Sequence, residues 1–242
     1  MNAVEDTTDR IMKELRERGA PERAAREKGY LKSDLVHLGV PVPDIRRTVR
    51  PAVGTRAETL ALAGALWAVT DSGTPVHEAR MAAAEVLVRN VGALAAEDAA
   101  FAERLVRDSV SWVYVDVLAD KVVGALVLRF PDLAGTLDRW VTDPWMWIRR
   151  TSLLALLPGV RAGAPDRERL SRYGEALIGE REFFIRKALG WVLRELSKRD
   201  PAWVRDWTEA HLGEMSGVTF REAVRRLPER DAAALTAAYR AR

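Results

Sequence analysis

The chain has 242 residues, 48% of them hydrophobic, and a net charge of +3 from 38 Lys and Arg against 35 Asp and Glu. It contains no cysteine, which excludes a disulfide framework, thiolate zinc sites, iron–sulfur clusters and thiol nucleophiles, and fits a reducing compartment. This length buries a substantial core without covalent staples, and the many aliphatic residues exclude a disordered chain despite 30% charged residues.

Residues 1–18 are polar and charged, with no apolar signal core, and no segment reaches the roughly 18 apolar residues of a membrane span. A soluble, cytoplasmic protein with no membrane partner is predicted. Helix formers dominate throughout, and Pro and Gly fall between apolar-periodic segments. The predicted helices are 7–17, 21–36, 43–52, 56–70, 76–91, 97–109, 113–129, 132–140, 144–157, 165–178, 182–199, 201–212, 217–227 and 229–241. Thr74-Pro75, Asp143-Pro144 and Asp200-Pro201 read as an N-cap followed by the first helical residue. No stretch alternates apolar and polar residues long enough to argue a sheet.

Helix pairs recur roughly every 35–40 residues between residues 97 and 212, near the period of HEAT-type repeats. The expected fold is all-α, an α-solenoid of antiparallel helix pairs with a concave face, against the alternative of an irregular helical globule. One domain is expected over 1–242, with helices up to residue 52 less regular and repeats over about 56–241.

Charge is uneven. Residues 145–199 hold twelve basic and six acidic residues, and residues 97–138 hold four basic and eight acidic. A basic stretch on helices suits a polyanionic partner, although a solvated helix face has the same composition. Eight tryptophans against five Phe and four Tyr point some of the indoles to functional surface.

Four segments stand out. Gly39–Arg47 is a rigid turn leading into a basic helix whose first N–H groups could meet a phosphate. Trp112 and Asp116, four apart, share a helix face, with Val115, Leu118, Ala119 and Val122 packing elsewhere. A carboxylate beside an aromatic wall can stabilise a developing cation, while the alternative is an Asp near a helix start that favours the dipole. Asp143–Thr151 brings Trp145, Trp147, Arg149 and Arg150 to one helix start, where arginine can fork onto a phosphate.

The segment 182–199 carries a stripe of Ile185, Leu189, Val192 and Leu196, beside a face of Lys187, Trp191, Arg194 and Lys198. Such a face neutralises phosphates and stacks an indole on sugar or base, or else buries the Trp under basic stems. His37, His77 and His211 are far apart and lie in no metal-ligand motif, so no metal site is expected. Walker, dinucleotide and nucleophile-elbow motifs are absent.

The stretch Glu182–Glu195 (EFFIRKALGWVLRE) closely resembles the signature of the AlkD-like family of alkylpurine DNA glycosylases, which are built from HEAT-like repeats. Tyr30-Leu31-Lys32, Gly39-Val40 and Arg46-Arg47 resemble the family's N-terminal segment. Trp112 and Asp116 match its Trp-x-x-x-Asp pair, Trp147–Thr151 its Trp-x-x-Arg segment, and Arg221-Glu222-Ala223 a C-terminal piece. The resemblance spans about residues 30–227.

It implies a monomeric glycosylase that holds duplex DNA containing an alkylated purine and leaves the lesion in the duplex, where base-flipping enzymes extrude it. Asp116 would be the catalytic carboxylate, with Trp112 and Trp191 flanking the deoxyribose. Arg150 would hold a phosphate, with Tyr30, Arg46, Arg149, Lys187 and Arg194 as further DNA contacts. Neither metal nor organic cofactor is implied, and the protein would be nucleoid-associated when bound. Ser111-Trp112-Val113 departs from the common Trp-Trp-Asp, and Pro41-Val42 stands where polar residues are common. A smaller, less polar rim would admit a bulky adduct, as in self-resistance to a DNA-alkylating natural product.

The competing function is a non-catalytic helical-repeat module binding DNA or protein, and a lyase acting on a pigment-like ligand is a weaker third reading. Trp67, Trp140, Trp203 and Trp207 are expected in the core, with Trp145 and Trp147 unassigned.

Overall fold

The computed structural model describes residues 3–242. Two compact units divide the chain, one ending at Val122 and the other beginning at Val123. The first contains α1 (Ala3–Glu17), α2 (Pro21–Leu31), α3 (Val42–Val49), α4 (Arg56–Trp67), α5 (His77–Arg89), α6 (Ala99–Arg107) and α7 (Trp112–Val117). The second contains α8 (Gly124–Arg129), α9 (Ala134–Trp140), α10 (Met146–Leu154), α11 (Leu157–Arg161), α12 (Arg167–Leu177), α13 (Phe183–Ser197), α14 (Pro201–Ala210), α15 (Gly217–Ala223) and α16 (Glu229–Arg240). The fold class is all-α, as expected.

Within each unit one helix is central. In the first, α5 is buried continuously from His77 to Leu87 and packs against α3, α4 and α7. In the second, α13 contacts α10, α11, α12, α14 and α15, and its stripe Ile185, Leu189, Val192 and Leu196 is fully buried. Helices thus contact near neighbours in sequence, the packing habit of an α-solenoid.

Helix ends follow local chemistry. Thr55 and Glu58 form a reciprocal capping box at the start of α4, a device worth about 1 kcal/mol. Asp200 caps α14 by accepting from the Trp203 N–H at 3.1 Å, as its Asp-Pro pair predicts. The two other Pro pairs behave differently. Asp143 Oδ1 accepts from the Trp145 N–H at 2.8 Å, a turn that delays α10 to Met146. Thr74-Pro75 is not a helix start but β2, paired antiparallel with β1 (Thr70–Asp71) across Ser72 and Gly73, both at positive φ. These strands are too short to show alternation in sequence.

The predicted helix 21–36 stops at Leu31 because Lys32 adopts a left-handed conformation. The chain then extends, and Val36 bridges to Val76 ahead of α5. The segment read as one helix over 113–129 is interrupted by a π-helical turn at Leu118–Val123. π-turns recur at functional positions in helices, and this one directly follows the Trp112–Asp116 pair.

Gly39 closes the loop before α3. Its φ is +82°, and an added Cβ would sit 2.2 Å from the Ala20 carbonyl oxygen. Left-handed strain and a backbone clash therefore coincide, and Gly39→Ala should lose at least about 2 kcal/mol in chemical unfolding.

Candidate nucleic-acid interface

The residues singled out by sequence fall into local groups within each unit. In the first, Trp112 and Asp116 are both half-buried on α7. The same helix turns Tyr114 and Val115 fully inward, so inward anchoring fixes which face the indole and carboxylate occupy. Tyr114 Oη lies 2.5 Å from His77 Nδ1, and its ring packs edge-on against Trp67 at 5.6 Å. The approach to α7 is also pinned. Asp108 accepts from Trp67 Nε1 at 2.7 Å and from Arg80 Nη2 at 2.8 Å, and its carbonyl accepts from Arg80 Nη1 at 3.0 Å.

A basic group occupies α3 and the end of α5. Arg46, Arg47, Arg50 and Arg89 line a shallow depression with Pro43. Arg46 Nε donates to Glu85 at 2.9 Å, which orients it along α5. Arg50 follows Arg46 by one helical turn, whereas Arg89 escapes sequence reasoning because only tertiary packing brings α5 to α3. Tyr30 on α2 is 77% exposed. The turn before α3 is less available to a phosphate than its sequence suggests. The Leu38, Gly39 and Val40 N–H groups donate to the buried Glu78 carboxylate at 2.9, 2.7 and 3.2 Å. Those of Asp44 and Ile45 donate to the Pro41 carbonyl.

In the second unit α13 presents Lys187, Trp191 and Arg194 on one face, with Trp191 half-buried. Both cations pair with one carboxylate, Glu222 of α15, itself 7% exposed. Gly190 permits this approach, since a Cβ there would lie 2.6 Å from Glu222 Cβ and 3.0 Å from the Thr219 carbonyl. Glu222 is thus a site component with no role legible in sequence beyond the family likeness of Arg221-Glu222-Ala223. Burial pushes its carboxyl pKa up, but the Lys187 hydrogen bond and the Arg194, Lys187 and Arg225 charges prevail and hold it below the ordinary value.

A depressed carboxylate contributes stability above its unfolded pKa and loses it as pH falls through the folded one. Glu222→Gln should therefore cost stability at neutral pH, and in urea unfolding the difference from the unaltered protein should shrink as pH falls below the ordinary carboxylate range.

Arg149 and Arg150 are held rather than solvated. Arg149 Nη1 donates to the Asp143 and Pro144 carbonyls at 2.7 and 2.9 Å, and its Nε lies 2.8 Å from Glu180. Arg150 is 3% exposed, donates to the Phe184 carbonyl at the start of α13, and lies over the Phe184 ring. Trp147 packs on the same ring at 5.0 Å.

The model of a family described as DNA alkylation repair enzyme matches residues 11–227. The chain belongs to this DNA alkylation repair family. Among solved structures, a predicted DNA alkylation repair enzyme from Enterococcus faecalis is similar, at 23% identity and a TM-score of 0.76, over 88% of this chain and 98% of the other. No curated protein matches. The resemblance read from Glu182–Glu195 and its companion motifs is thus borne out at the level of the family.

For a DNA repair family the tryptophan placement is informative. Trp67, Trp140 and Trp207 are buried as expected. Trp203 is only half-buried, stacked on Trp207 at 6.2 Å, because Trp207 already fills the space over Gly174. Of the two left unassigned, Trp147 is 5% exposed and Trp145 is 43% exposed. The basic surplus of residues 145–199 is also partly countered from outside that segment. Arg167 pairs with Asp200, Arg169 with Asp138, and Lys187 and Arg194 with Glu222. Among the described residues no helix is long and apolar enough to cross a membrane.

Proposed function

We propose that this DNA alkylation repair protein is a glycosylase that excises cationic N3- or N7-alkylated purines from duplex DNA by hydrolysing the N-glycosidic bond, without base flipping. The observation that carries the reading is the half-buried Trp112–Asp116 pair, fixed in direction by the inward anchoring of Tyr114.

Alkylation at N3 or N7 makes the purine cationic and hence a good leaving group. As the C1′–N bond breaks, positive charge passes to the deoxyribose as an oxocarbenium ion. The Asp116 carboxylate stabilises that charge and orients a water for attack at C1′. The Trp112 face contributes cation–π and C–H contacts to the same sugar, and Trp191 of the second unit is assigned an aromatic contact to the DNA. Because the lesion supplies its own leaving-group activation, the reaction calls for little acid catalysis and no cofactor.

Arg46, Arg149, Arg150, Lys187 and Arg194 are assigned to the phosphate backbone, with Tyr30 as an exposed aromatic contact. In this reading the whole chain acts as one repeat domain and as a monomer. Glu222, Glu85 and Glu180 hold cations in place, so they orient charges that phosphates would complete. Arg46→Ala truncates a side chain that is 60% exposed and should weaken duplex binding and lower the salt slope by about one phosphate contact, read by anisotropy titrations at several salt concentrations, whereas Arg150, at 3% exposure, reaches a phosphate only if its hold on Phe184 is released.

The small Ser111 and Val113 beside Trp112 favour bulky adducts as substrates, with self-resistance to a DNA-alkylating natural product as the context. Duplexes carrying one 7-methylguanine or one bulky N3-adenine adduct test both points, with strand scission at the abasic site as readout. Faster loss of the bulky base supports the specialised reading, and faster loss of the methylated base overturns it. Binding without scission on either duplex would favour a non-catalytic module.

A further inference from the structure

A second constellation lies in the first unit. Glu27 of α2, His37 of the extended loop before α3, and His77 at the start of α5 each bring one potential ligand atom within 4.8 Å of the others. The two imidazoles stack at 4.3 Å although 40 positions separate them in the chain. Both ring nitrogens of His37 and Oε2 of Glu27 are buried without a hydrogen-bond partner. Unsatisfied buried polar atoms are rare in folded proteins and ask for a bound species.

From this cluster we propose a divalent transition-metal site of the zinc type, with Glu27, His37 and His77 as the protein ligands. Two imidazoles with one carboxylate form a donor set suited to such an ion and unsuited to calcium or magnesium. A tetrahedral ion holds its ligand atoms about 3.4 Å apart, so rotation of Glu27 and His37 closes the site. Their ligand atoms have no hydrogen bond to break. Glu27 Oε1 keeps its 2.6 Å contact with Arg23 Nη2.

His77 is prepared for the role. Its Nδ1 is engaged by Tyr114 Oη at 2.5 Å, which leaves Nε2 for an ion. Metal-bound histidines ordinarily hold their second nitrogen in such a bond. The bound ion would tie α2 and the loop before α3 to the start of α5. Through Tyr114 it would also brace α7, the helix of Trp112 and Asp116. No step of the proposed excision passes through it.

The test uses full-length, tag-free protein stripped with chelator and titrated calorimetrically with zinc chloride. One equivalent should bind, with a melting temperature that rises with zinc concentration, and cobalt(II) should give the visible bands of a tetrahedral N/O site. His37→Ala and Glu27→Gln should each weaken zinc binding by at least about 100-fold, and Tyr114→Phe by about tenfold. His211→Ala should leave it unchanged. Glu27→Gln preserves side-chain volume, so it carries the test if His37→Ala does not fold. Absence of stoichiometric zinc binding, or undiminished binding in Glu27→Gln, overturns the proposal and leaves the cluster to buried water.

Discussion

Asp116→Asn should slow release of an alkylated purine from duplex DNA by about 10²–10³-fold, or about 3–4 kcal/mol in the barrier. Its effect on duplex affinity should stay within a few-fold. The asymmetry follows from where charge develops. Before bond cleavage the positive charge sits on the purine, and in the transition state it moves to the sugar, where a fixed carboxylate acts. Asparagine keeps the shape of Asp116 but not its charge, so binding energy shared by substrate and transition state is little affected. Single-turnover kinetics with saturating enzyme isolate the chemical step, and thermal unfolding of the variant separates a folding defect from a catalytic one. A rate equal to that of the unaltered protein would remove Asp116 from the reaction.

Gly190→Ala should destabilise the protein by about 1–3 kcal/mol, lowering the melting temperature by on the order of 5 °C. The added Cβ would meet Glu222 Cβ at 2.6 Å and the Thr219 carbonyl at 3.0 Å, and a carbonyl cannot swing aside as a flexible side-chain tip can. α13 and α15 would have to separate, which loosens the hold of Glu222 on Lys187 and Arg194. Weaker DNA binding should therefore accompany the lost stability. Gly135 in α9 is the contrasting case. A Cβ there meets nothing within 4 Å, and Gly135→Ala should raise stability by about 0.5–1 kcal/mol through helix propensity alone. Calorimetric scans of the two variants give opposite signs in this account, and a neutral Gly190→Ala would show that the helix contact adjusts freely.

Much of the all-helical fold is legible because apolar periodicity and punctuation by Pro and Gly are local signals. The stripe from Ile185 to Leu196 is read correctly as core for that reason. What escapes is set by tertiary pairing or backbone detail. The left-handed Lys32 ends α2 with no glycine to announce it. The hairpin around Ser72 and Gly73 has strands too short to alternate, and the π-turn after Asp116 leaves the sequence pattern helical. Among site residues, the facing of Trp112 and Asp116, and of Lys187, Trp191 and Arg194, follows from helix geometry. Charge partners do not. Glu222 lies 28 positions beyond Arg194, and Glu85 lies 39 beyond Arg46, so no window on the sequence reveals that either cation is clasped. The stacking of His37 on His77 is hidden in the same way.

The mass of what leaves the DNA tests the proposed glycosylase reaction directly. Duplex carrying a single 7-methylguanine or bulky N3-adenine adduct is incubated with the protein, and the low-molecular-weight fraction and the strands are analysed by mass spectrometry. Glycosylase action yields a free purine that still carries its alkyl group, matched by an equal amount of abasic strand. An intact strand from which the alkyl group alone is gone, or a lesion left untouched in the bound duplex, would contradict it.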